Sequence, residues 1–340
     1  MKHTVVGIDI AKRVFQLHWV DSDTGEILSV QLRREKFLAH FVNRPACLIG
    51  MEACGGAQHW ARELIKLGHQ VKLLAGKFVK SFVMGNKGDA ADAKGIWMAV
   101  QQPGIKPIAI KTEQQQAMLA LHRMRQSLVK VRTMQTNALR GLLTEYGEVM
   151  PQGKVGIRNG IAAALARLEL RLPKIVIEAL HEQWLRITEL SSQISQIEHK
   201  LQSWLKTDVA AKAIADIPGV GLLTATAAVA TMGDPKAFKS GREFAAWLGL
   251  VPRQTGTGGK TKLLGISKRG DTYLQTLLMH GARSVLTHAK HPGQWTQELM
   301  KRKHTNVVVA ALANKMARMI WAMLAHERAY QGDWPSAKPA

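Results

Sequence analysis

Four carboxylates in the first hundred residues have the spacing of a metal site. Asp9 lies near the end of an apolar run, and Glu52 directly follows another. Asp89 and Asp92 are three residues apart, so a helix would place them on one face. Burying one carboxylate is costly, and four cannot all ionise close together without a cation. We therefore predict that these four acids bind Mg²⁺ or Mn²⁺, which prefer oxygen ligands.

Such a metal site is typical of phosphodiester chemistry, in which two ions about 4 Å apart contact the attacking and leaving oxygens. An alternative is an actin- or hexokinase-like ATPase, because Gly7-Ile8-Asp9 also begins the strand meander of those proteins. That fold needs a second copy of the domain with another glycine-rich phosphate loop. The second half of this sequence has a helical pattern and contains no such copy.

The elements that position the acids form a mixed α/β pattern. Their order is three strands, helix, strand, helix, strand, which is the order of the ribonuclease-H-like fold. In that fold the first and fourth strands are parallel neighbours. Asp9 and Glu52 would then lie side by side at the carboxyl edge of the sheet. The predicted strands are 4–10, 14–20, 26–32, 47–51 and 71–75, and the predicted helices are 36–42 and 57–67.

From residue 113 onward the sequence is mostly helical. Apolar residues recur at three- and four-residue steps over 113–146 and again after Pro173, with a break between Gly147 and Gly160. A coiled-coil arm and the core helices of a bundle both fit this pattern, and helix 113–146 fits either the first domain or the arm. The predicted domains are a catalytic domain 1–112, an arm 113–207, a mostly helical DNA-binding domain 208–330 and a disordered tail 331–340.

The third domain contains two segments suited to DNA. Ile217-Pro218-Gly219-Val220-Gly221 has the form of a helix-hairpin-helix turn, in which Gly219 and Gly221 let backbone amides approach a phosphate. A turn that needs glycine for helix packing is the alternative. A glycine- and lysine-rich loop is predicted over 253–270. Its stretch 252–262 is either a flexible loop over DNA or the carrier of a hydroxyl nucleophile, 266–271 has the form of a phosphate-binding turn, and helices 271–289 and 305–326 follow.

The charge of the sequence fits a polyanionic partner. Its 340 residues carry a net charge of +22, and nucleic acid is the commonest partner of so basic a protein. Residues 239–303 contain 12 Lys and Arg against 3 Asp and Glu. The residues predicted to hold the DNA backbone are Gly219, Gly221, Arg253, Lys260, Lys262, Ser267, Lys268 and Arg269.

The remaining composition predicts a soluble protein of the bacterial cytoplasm that acts at the nucleoid. The two cysteines fit a reducing compartment. The longest apolar run, 307–324, is interrupted by Lys315 and Arg318, so we predict no membrane span. The N-terminus has no signal-peptide pattern, and we predict no export.

The chain resembles the insertion-sequence transposases related to the Piv DNA invertase. These proteins pair a RuvC-like DEDD domain with a C-terminal transposase domain, and in some members a guide (bridge) RNA selects the DNA sites. The resemblance extends over nearly the whole chain. The matching segments are 7–12, 51–53, 89–93, 217–221, 244–253 and 266–271.

The resemblance implies that Asp9, Glu52, Asp89 and Asp92 are the DEDD metal ligands. It also implies a serine in the glycine-rich loop that attacks DNA and holds it covalently. Thr257 stands at that position here, and Thr255 and Ser267 are the alternatives. A homo-oligomer, dimer or tetramer, in which the hydroxyl loop of one chain meets the acid site of another, is a further implication.

These observations predict a transposase that cuts and rejoins DNA. One alternative is a RuvC-like structure-specific endonuclease of the Holliday-junction type, which uses the acids and water without a covalent intermediate. Another is a nucleic-acid-binding protein without catalytic activity. The clustered acids disfavour that last reading, since negative charge beside phosphates weakens binding.

Overall fold

The structure, a computed structural model, describes residues 4–83, 86, 88–290 and 293–331. Its contacts divide the chain into two compact units, an N-terminal unit, Met1–Thr112, and a C-terminal unit, Glu113–Ala340. Helices contain 61% of the described residues. The division of the sequence into three domains stays a prediction, and nearly all of the predicted tail, 331–340, lies outside the described residues.

A mixed five-stranded sheet forms the centre of the N-terminal unit. Its strand order is β3-β2-β1-β4-β5; the β1–β2 and β2–β3 pairs are antiparallel, and the β1–β4 and β4–β5 pairs are parallel. The first and fourth strands are parallel neighbours, as predicted, and the sheet is consistent with a ribonuclease-H-like domain. The strands are β1 Val5–Ile10, β2 Val14–Val20, β3 Ile27–Arg33, β4 Leu48–Glu52 and β5 Gln70–Leu74.

Helices cover the sheet and bury its apolar side chains. The helices of this unit are α1 Phe37–Val42, α2 Ala57–Lys66, α3 Gly76–Val79 and α4 Asp89–Val100. A core on one face joins Val6, Ile8 and Met51 of the strands with Phe37 and Trp60 of α1 and α2. Side chains alternate between the faces of a strand, so the odd-numbered residues of β1 and the even-numbered residues of β4 lie on the opposite face, toward α4.

Two glycines let α4 lie directly on the sheet. Gly7 and Gly50 are register partners on β1 and β4. A Cβ on Gly7 would be 2.5 Å from the backbone nitrogen of Trp97, and a Cβ on Gly50 would be 2.7 Å from the Cβ of Val100. The Trp97 indole also donates a hydrogen bond of 3.1 Å to the carbonyl of Val5. Helix and strand therefore touch backbone to backbone.

The C-terminal unit contains nine described α-helices and one hairpin. They are α5 Glu113–Glu145, α6 Gly153–Glu169, α7 Lys174–Thr207, α8 Val209–Ala215, α9 Leu222–Met232, α10 Gly241–Trp247, β6 Pro252–Thr257, β7 Lys260–Ile266, α11 Thr272–His288, α12 Gln294–Arg302 and α13 Thr305–His326. The two long helices predicted before residue 208 are present as α5 and α7.

Helices α5 and α7 form an antiparallel hairpin. Arg125 forms a 2.6 Å ion pair with Glu198, and Gln183 donates a 3.3 Å hydrogen bond to Gln135, so the residue number falls along one helix as it rises along the other. The predicted break from Gly147 to Gly160 is wrong in extent, because α6 already begins at Gly153. Helix α6 packs its apolar residues against the far ends of α5 and α7.

The other helices of this unit surround α13. Among the described residues, α13 is the one helix whose length and hydropathy (1.5 over 18 residues) would allow it to cross a membrane. However, Val309, Ala313, Met316 and Ile320 on this helix are fully buried in a core shared with α8, α9, α10 and α11. Core packing therefore accounts for its apolar character.

The expectation of a plain loop over 253–270 is wrong. Residues Pro252–Thr257 and Lys260–Ile266 form the two-stranded hairpin β6–β7. At its tip, Gly258 and Gly259 have φ angles of 57° and 79°. Two successive residues with positive φ make the tight turn whose twist matches paired strands, and glycine adopts it without strain.

We predict that Gly7→Ala destabilises the N-terminal unit. The added methyl group would overlap the backbone of α4, and overpacking of this kind costs about 1–3 kcal/mol. The free energy of unfolding, measured in urea, should fall by that amount. Gly104→Ala is the control, because no atom lies within 4 Å of the added Cβ at that position. Equal stability of the two variants would contradict the backbone contact.

Candidate active site

Asp9 and Glu52 occupy neighbouring positions at the carboxyl edge of the sheet. Strands β1 and β4 are parallel with Ile8 opposite Met51, so the next residue on each strand is one of the two acids. Asp9 shares a face with Gly7, and Glu52 shares one with Gly50, so both acids face α4. Both side chains are half-buried.

Asp89 and Asp92 lie in the first turn of α4, which extends toward the same edge. Ala93 and Trp97 pack over Gly7, and Trp97 reaches Val5, so α4 runs antiparallel to β1. From Ala93 back to Asp89 the helix advances ~6 Å, and from Gly7 to Asp9 the strand advances ~6.6 Å. Because Ala93 lies over Gly7, the start of α4 is level with Asp9. Asp89 is exposed and Asp92 is half-buried.

The four acids influence one another electrostatically. Burial and, after it, the nearby charges of Asp92, Asp89 and Glu52 together raise the pKa of Asp9 from 3.8 to about 6. Within the part of the chain that the structure describes, none of the four forms an ion pair with Lys, Arg or His. Among the described residues, the edge of the sheet therefore concentrates negative charge that no ion pair neutralises.

The oxygen atoms do not form a closed cage. Among the described residues, no three His, Cys, Asp or Glu side chains lie close enough to hold one ion. This does not conflict with the donor chemistry, because Mg²⁺ is usually bound by one or two carboxylates together with water and substrate phosphate. The strand register and the packing of α4 bring the acids to one place, while the side-chain rotamers determine the distances between their oxygens.

Two residues beside the acids were not predicted from the sequence. The Cys54 thiol lies 3.9 Å from the carbonyl oxygen of Ile10, and its pKa is raised by burial and by the charges of Glu52 and Asp9. Gly76, which begins α3, lies against the Glu52 carboxylate, so that a Cβ there would overlap Oε1. The available signals were the position of Cys54 two residues after Glu52 and the glycine that follows the fifth strand.

Thr257 and its alternative Thr255 lie on one face of the β6–β7 hairpin. In the register of the strands, Thr257 is opposite Lys260 and Thr255 is opposite Lys262. All four residues are exposed, as is Arg253. The hairpin therefore presents hydroxyl and ammonium groups to solvent.

In the turn after the hairpin, backbone amides donate hydrogen bonds to carbonyl groups of the protein itself. The amide of Ser267 donates to the carbonyl of Val251 at 2.8 Å, and that of Lys268 donates to Gly249 at 3.2 Å. Asp271 caps α11 by accepting a 2.9 Å hydrogen bond from the amide of Leu274. The exposed side chains of Lys268 and Arg269, rather than these amides, are available to an anion, and Ser267 is half-buried.

The turn between α8 and α9 packs against α11. Gly219 has a φ of 86°, and a Cβ on it would be 2.7 Å from the carbonyl oxygen of Gly281. Packing therefore accounts for Gly219. Gly221, at the start of α9, has no atom within 4 Å of the corresponding position, so that end of the turn is open.

Comparison with known proteins identifies the family. The sequence model of the Transposase IS116/IS110/IS902 family matches residues 211–298, and that of a DEDD-type IS110 transposase domain matches residues 6–148. A probable family 20 transposase of Pseudomonas aeruginosa is 43% identical, over 96% of this chain and 98% of the relative. The chain belongs to this transposase family.

Two further relatives support the assignment. The transposase for insertion sequence element IS1111A of Coxiella burnetii is 36% identical, over 96% of this chain and 91% of its own length. The pilin gene-inverting protein of Moraxella lacunata is 22% identical over 97% of this chain and 98% of its own length. The chain is thus an insertion-sequence transposase, an enzyme of DNA cleavage and strand transfer, and its DEDD-type domain suggests the use of a divalent metal.

The acid site of this transposase should make its stability depend on pH. The pKa of Asp9 is raised from 3.8 to about 6, so between these values the folded protein binds a proton that the unfolded chain has lost. The free energy of unfolding in chelator should therefore fall as pH rises from about 4 to 6 and then level off.

Asp9→Asn should remove this fall and be more stable than the wild type at pH 7, by about 1–3 kcal/mol. Urea unfolding at several pH values is the measurement. Asp23→Asn, an exposed acid outside the site, is the control and should keep the wild-type profile. Parallel profiles for wild type and Asp9→Asn would show that burial and neighbouring charge do not raise the pKa of Asp9.

Proposed function

We propose that this transposase cuts and rejoins DNA with two sets of groups, one in each unit. Asp9, Glu52, Asp89 and Asp92 bind Mg²⁺ or Mn²⁺, and the hydroxyl of Thr257 attacks the DNA backbone. The observation that carries the proposal is the convergence of the four acids at one edge of the sheet, where burial and the charges of the other three raise the pKa of Asp9. The N-terminal unit then acts as a RuvC-like catalytic domain.

The acids suit divalent ions in kind and in charge. They offer hard oxygen donors, and no described cation competes for them. Bound ions would stabilise the charge that develops on the transferring phosphate. Asp9 and Glu52 are held by neighbouring strands, and Asp89 and Asp92 by the first turn of α4, so rigid elements position all four.

Thr257 supplies the nucleophile in this scheme. Its hydroxyl is exposed on a tight hairpin, and a hydroxyl can split strand transfer into two displacements through a covalent intermediate. The methyl group of threonine crowds the attacking oxygen more than the hydrogen of serine would. We therefore expect the reaction to be slower than that of a Thr257→Ser variant.

The C-terminal unit holds the DNA and other partners. The exposed side chains of Arg253, Lys260, Lys262, Lys268 and Arg269 contact phosphates, whereas Gly219 shapes the helix-hairpin-helix turn and leaves Gly221 open to DNA. Such contacts position DNA without reading its sequence. The residues 208–330 act as the transposase domain that carries these contacts.

The proposal includes a guide RNA and a dimeric or tetrameric assembly in the cytoplasm. The net charge of +22 suits polyanionic partners, RNA as well as DNA. The arm, residues 113–207, exposes apolar side chains, including Met124, Ile175 and Leu185, at 57%, 74% and 65% of their surface. These side chains support contact between protomers along the arm, in the manner of a coiled coil.

Magnesium should bind and stabilise the wild-type protein but not Asp9→Asn. A ligand at 100 times its dissociation constant stabilises a protein by about 2.7 kcal/mol. Binding should weaken from pH 7 to pH 5, because protons compete for Asp9. Calorimetric titration with MgCl₂ is the measurement, and Asp23→Asn is the control. No heat of binding in the wild type at pH 7 would contradict the metal site.

A covalent protein–DNA adduct should form with the wild type and with Thr257→Ser, and should be absent from Thr257→Ala. The assay uses supercoiled DNA of the insertion sequence with Mg²⁺, with and without the noncoding RNA of the element, and separates the products on denaturing gels. Thr255→Ala is the control for the neighbouring hydroxyl. Adduct that depends on the RNA would support guided targeting.

The same gels separate the two enzymatic hypotheses. Nicked or linear DNA without any adduct, from a protein that requires Asp9, would support the structure-specific endonuclease and exclude a protein nucleophile. Adduct in Thr257→Ala but not in Thr255→Ala would move the nucleophile to the alternative residue.

A further inference from the structure

We propose that one face of the β6–β7 hairpin binds two successive phosphates of a DNA strand through two equivalent threonine–lysine pairs. Thr257 and Lys260 hold the phosphate that is cut, and Thr255 and Lys262 hold the phosphate next to it. The inference rests on the proposed role of Thr257 as the nucleophile. It assigns different tasks to two lysines that composition and exposure do not distinguish.

The register of the hairpin places the four side chains together. Thr257 is the cross-strand partner of Lys260, and Thr255 is the cross-strand partner of Lys262. Directly opposite residues of an antiparallel pair have Cβ atoms about 4.5–5.5 Å apart and point to the same face. Residues two positions apart on one strand also share a face. Both pairs therefore lie in a row on one side of the hairpin.

Three glycines fix this register: two form the turn, and one lies between the two threonines. Gly258 and Gly259 adopt the positive φ angles of the tight turn, so Thr257 and Lys260 are the pair that closes it. Gly256, between the two threonines, approaches the opposite strand so closely that a Cβ would be 2.6 Å from the carbonyl oxygen of Lys260. A side chain at Gly256 would push the strands apart and misalign both pairs.

The chemistry of the face fits phosphate rather than a protein partner. Segment 251–270 contains no Asp or Glu. In the part of the chain that the structure describes, neither threonine hydroxyl has a hydrogen-bond partner and neither lysine has an ion pair. Two hydroxyl donors and two ammonium groups are thus all available to anionic oxygens.

The spacing of the pairs matches a nucleic-acid strand. The two pairs are two residues apart, which is about 6.8 Å along an antiparallel strand. Successive phosphates of an extended DNA strand have a similar separation. One phosphate can therefore lie at each pair without bending the strand sharply.

The position of each pair assigns its task. When the Thr257 oxygen attacks, a bond from Oγ to phosphorus forms, and the bond from phosphorus to one deoxyribose oxygen breaks. The hydroxyl proton passes to solvent water, and the released deoxyribose oxygen takes up a proton from water. Rejoining reverses these steps. Lys260 contacts the non-bridging oxygens that gain charge, whereas Lys262 neutralises a phosphate that does not react.

The test compares Lys260→Ala with Lys262→Ala in the full-length protein, with exposed Lys236→Ala as the control for loss of one positive charge. At saturating element DNA, Lys260→Ala should lower the rate of adduct formation roughly 100-fold or more. Lys262→Ala should instead weaken binding and reduce the slope of log Kd against log salt by about 1. Lys236→Ala should resemble the wild type.

A modified DNA gives a second readout that is independent of the rate. A methylphosphonate replaces one phosphate at a time on either side of the cut bond and removes its charge. At one of these positions the methylphosphonate should weaken DNA binding by the wild type about tenfold. It should not weaken DNA binding by Lys262→Ala, which already lacks the lysine that contacts this phosphate. Equal loss in both proteins at every position would overturn the assignment of Lys262.

Different results would contradict the proposed nucleophile and the proposed two-phosphate site. If the wild type forms no adduct, the proposed nucleophile fails, and the role of Lys260 fails with it. If adduct forms but Lys260→Ala and Lys262→Ala change rate and binding alike, the nucleophile stands and the two-phosphate site is wrong. Lys260→Arg, which retains the charge, should recover part of the rate.

Discussion

The direct contact between α4 and the sheet determines the acid site. Gly7 and Gly50 remove the side chains that would hold the helix away, and the backbone of α4 takes their place. Because the helix runs antiparallel to β1, its first turn, with Asp89 and Asp92, reaches the strand end that carries Asp9. The arrangement opposes folding locally, since like charges repel and burial disfavours ionisation. The raised pKa of Asp9 reflects this unfavourable contribution to stability, and apolar packing elsewhere in the unit must offset it.

The proposed sites of the two units carry opposite charge. The sheet edge concentrates carboxylates, and the hairpin with its following turn presents Arg253, Lys260, Lys262, Lys268 and Arg269 without an intervening acid. The acidic sheet edge repels a phosphodiester unless divalent ions are present. The basic hairpin attracts a phosphodiester without any added ion. In the proposed mechanism, metal and basic side chains would therefore have separate tasks: the basic groups would hold the strand, and the acids would recruit the ions that stabilise the charge of the reaction. A protein that only bound DNA would have no use for the acidic edge.

The sheet could be predicted because its strands alternate or are wholly apolar, and parallel pairing then places Asp9 beside Glu52 without further information. The hairpin could not be predicted in this way. Its residues are exposed on both faces, so the apolar alternation that indicates a strand is missing, and Thr, Lys and Gly resemble a loop. Helix α6 was missed for a related reason. Its glycines look like breaks, yet Gly156 lies where the helix passes the backbone of Pro151, at which a Cβ would be 2.5 Å from the carbonyl oxygen. The pKa of Asp9 and the rotamers of the acids depend on packing that sequence patterns do not encode.

A buried hydrogen-bond chain joins the arm to the helices that bear the proposed DNA contacts. The Thr226 hydroxyl donates to the carbonyl of Leu222 at 2.7 Å, so its oxygen accepts from Nε2 of His122 at 3.0 Å. Nδ1 of His122 then accepts from the Tyr273 hydroxyl at 2.8 Å. Burial lowers the pKa of His122 to about 4, with a smaller contribution from Arg125, so the ring stays neutral and keeps both bonds at physiological pH. His122 belongs to α5, Thr226 to α9 and Tyr273 to α11. Because α9 follows the Gly221 turn and α11 follows the hairpin, any rotation of α5 at this point must move both segments or break a buried hydrogen bond. The proposed assembly through the arm would therefore act on helices that are hydrogen-bonded to the one that follows the Thr257 hairpin.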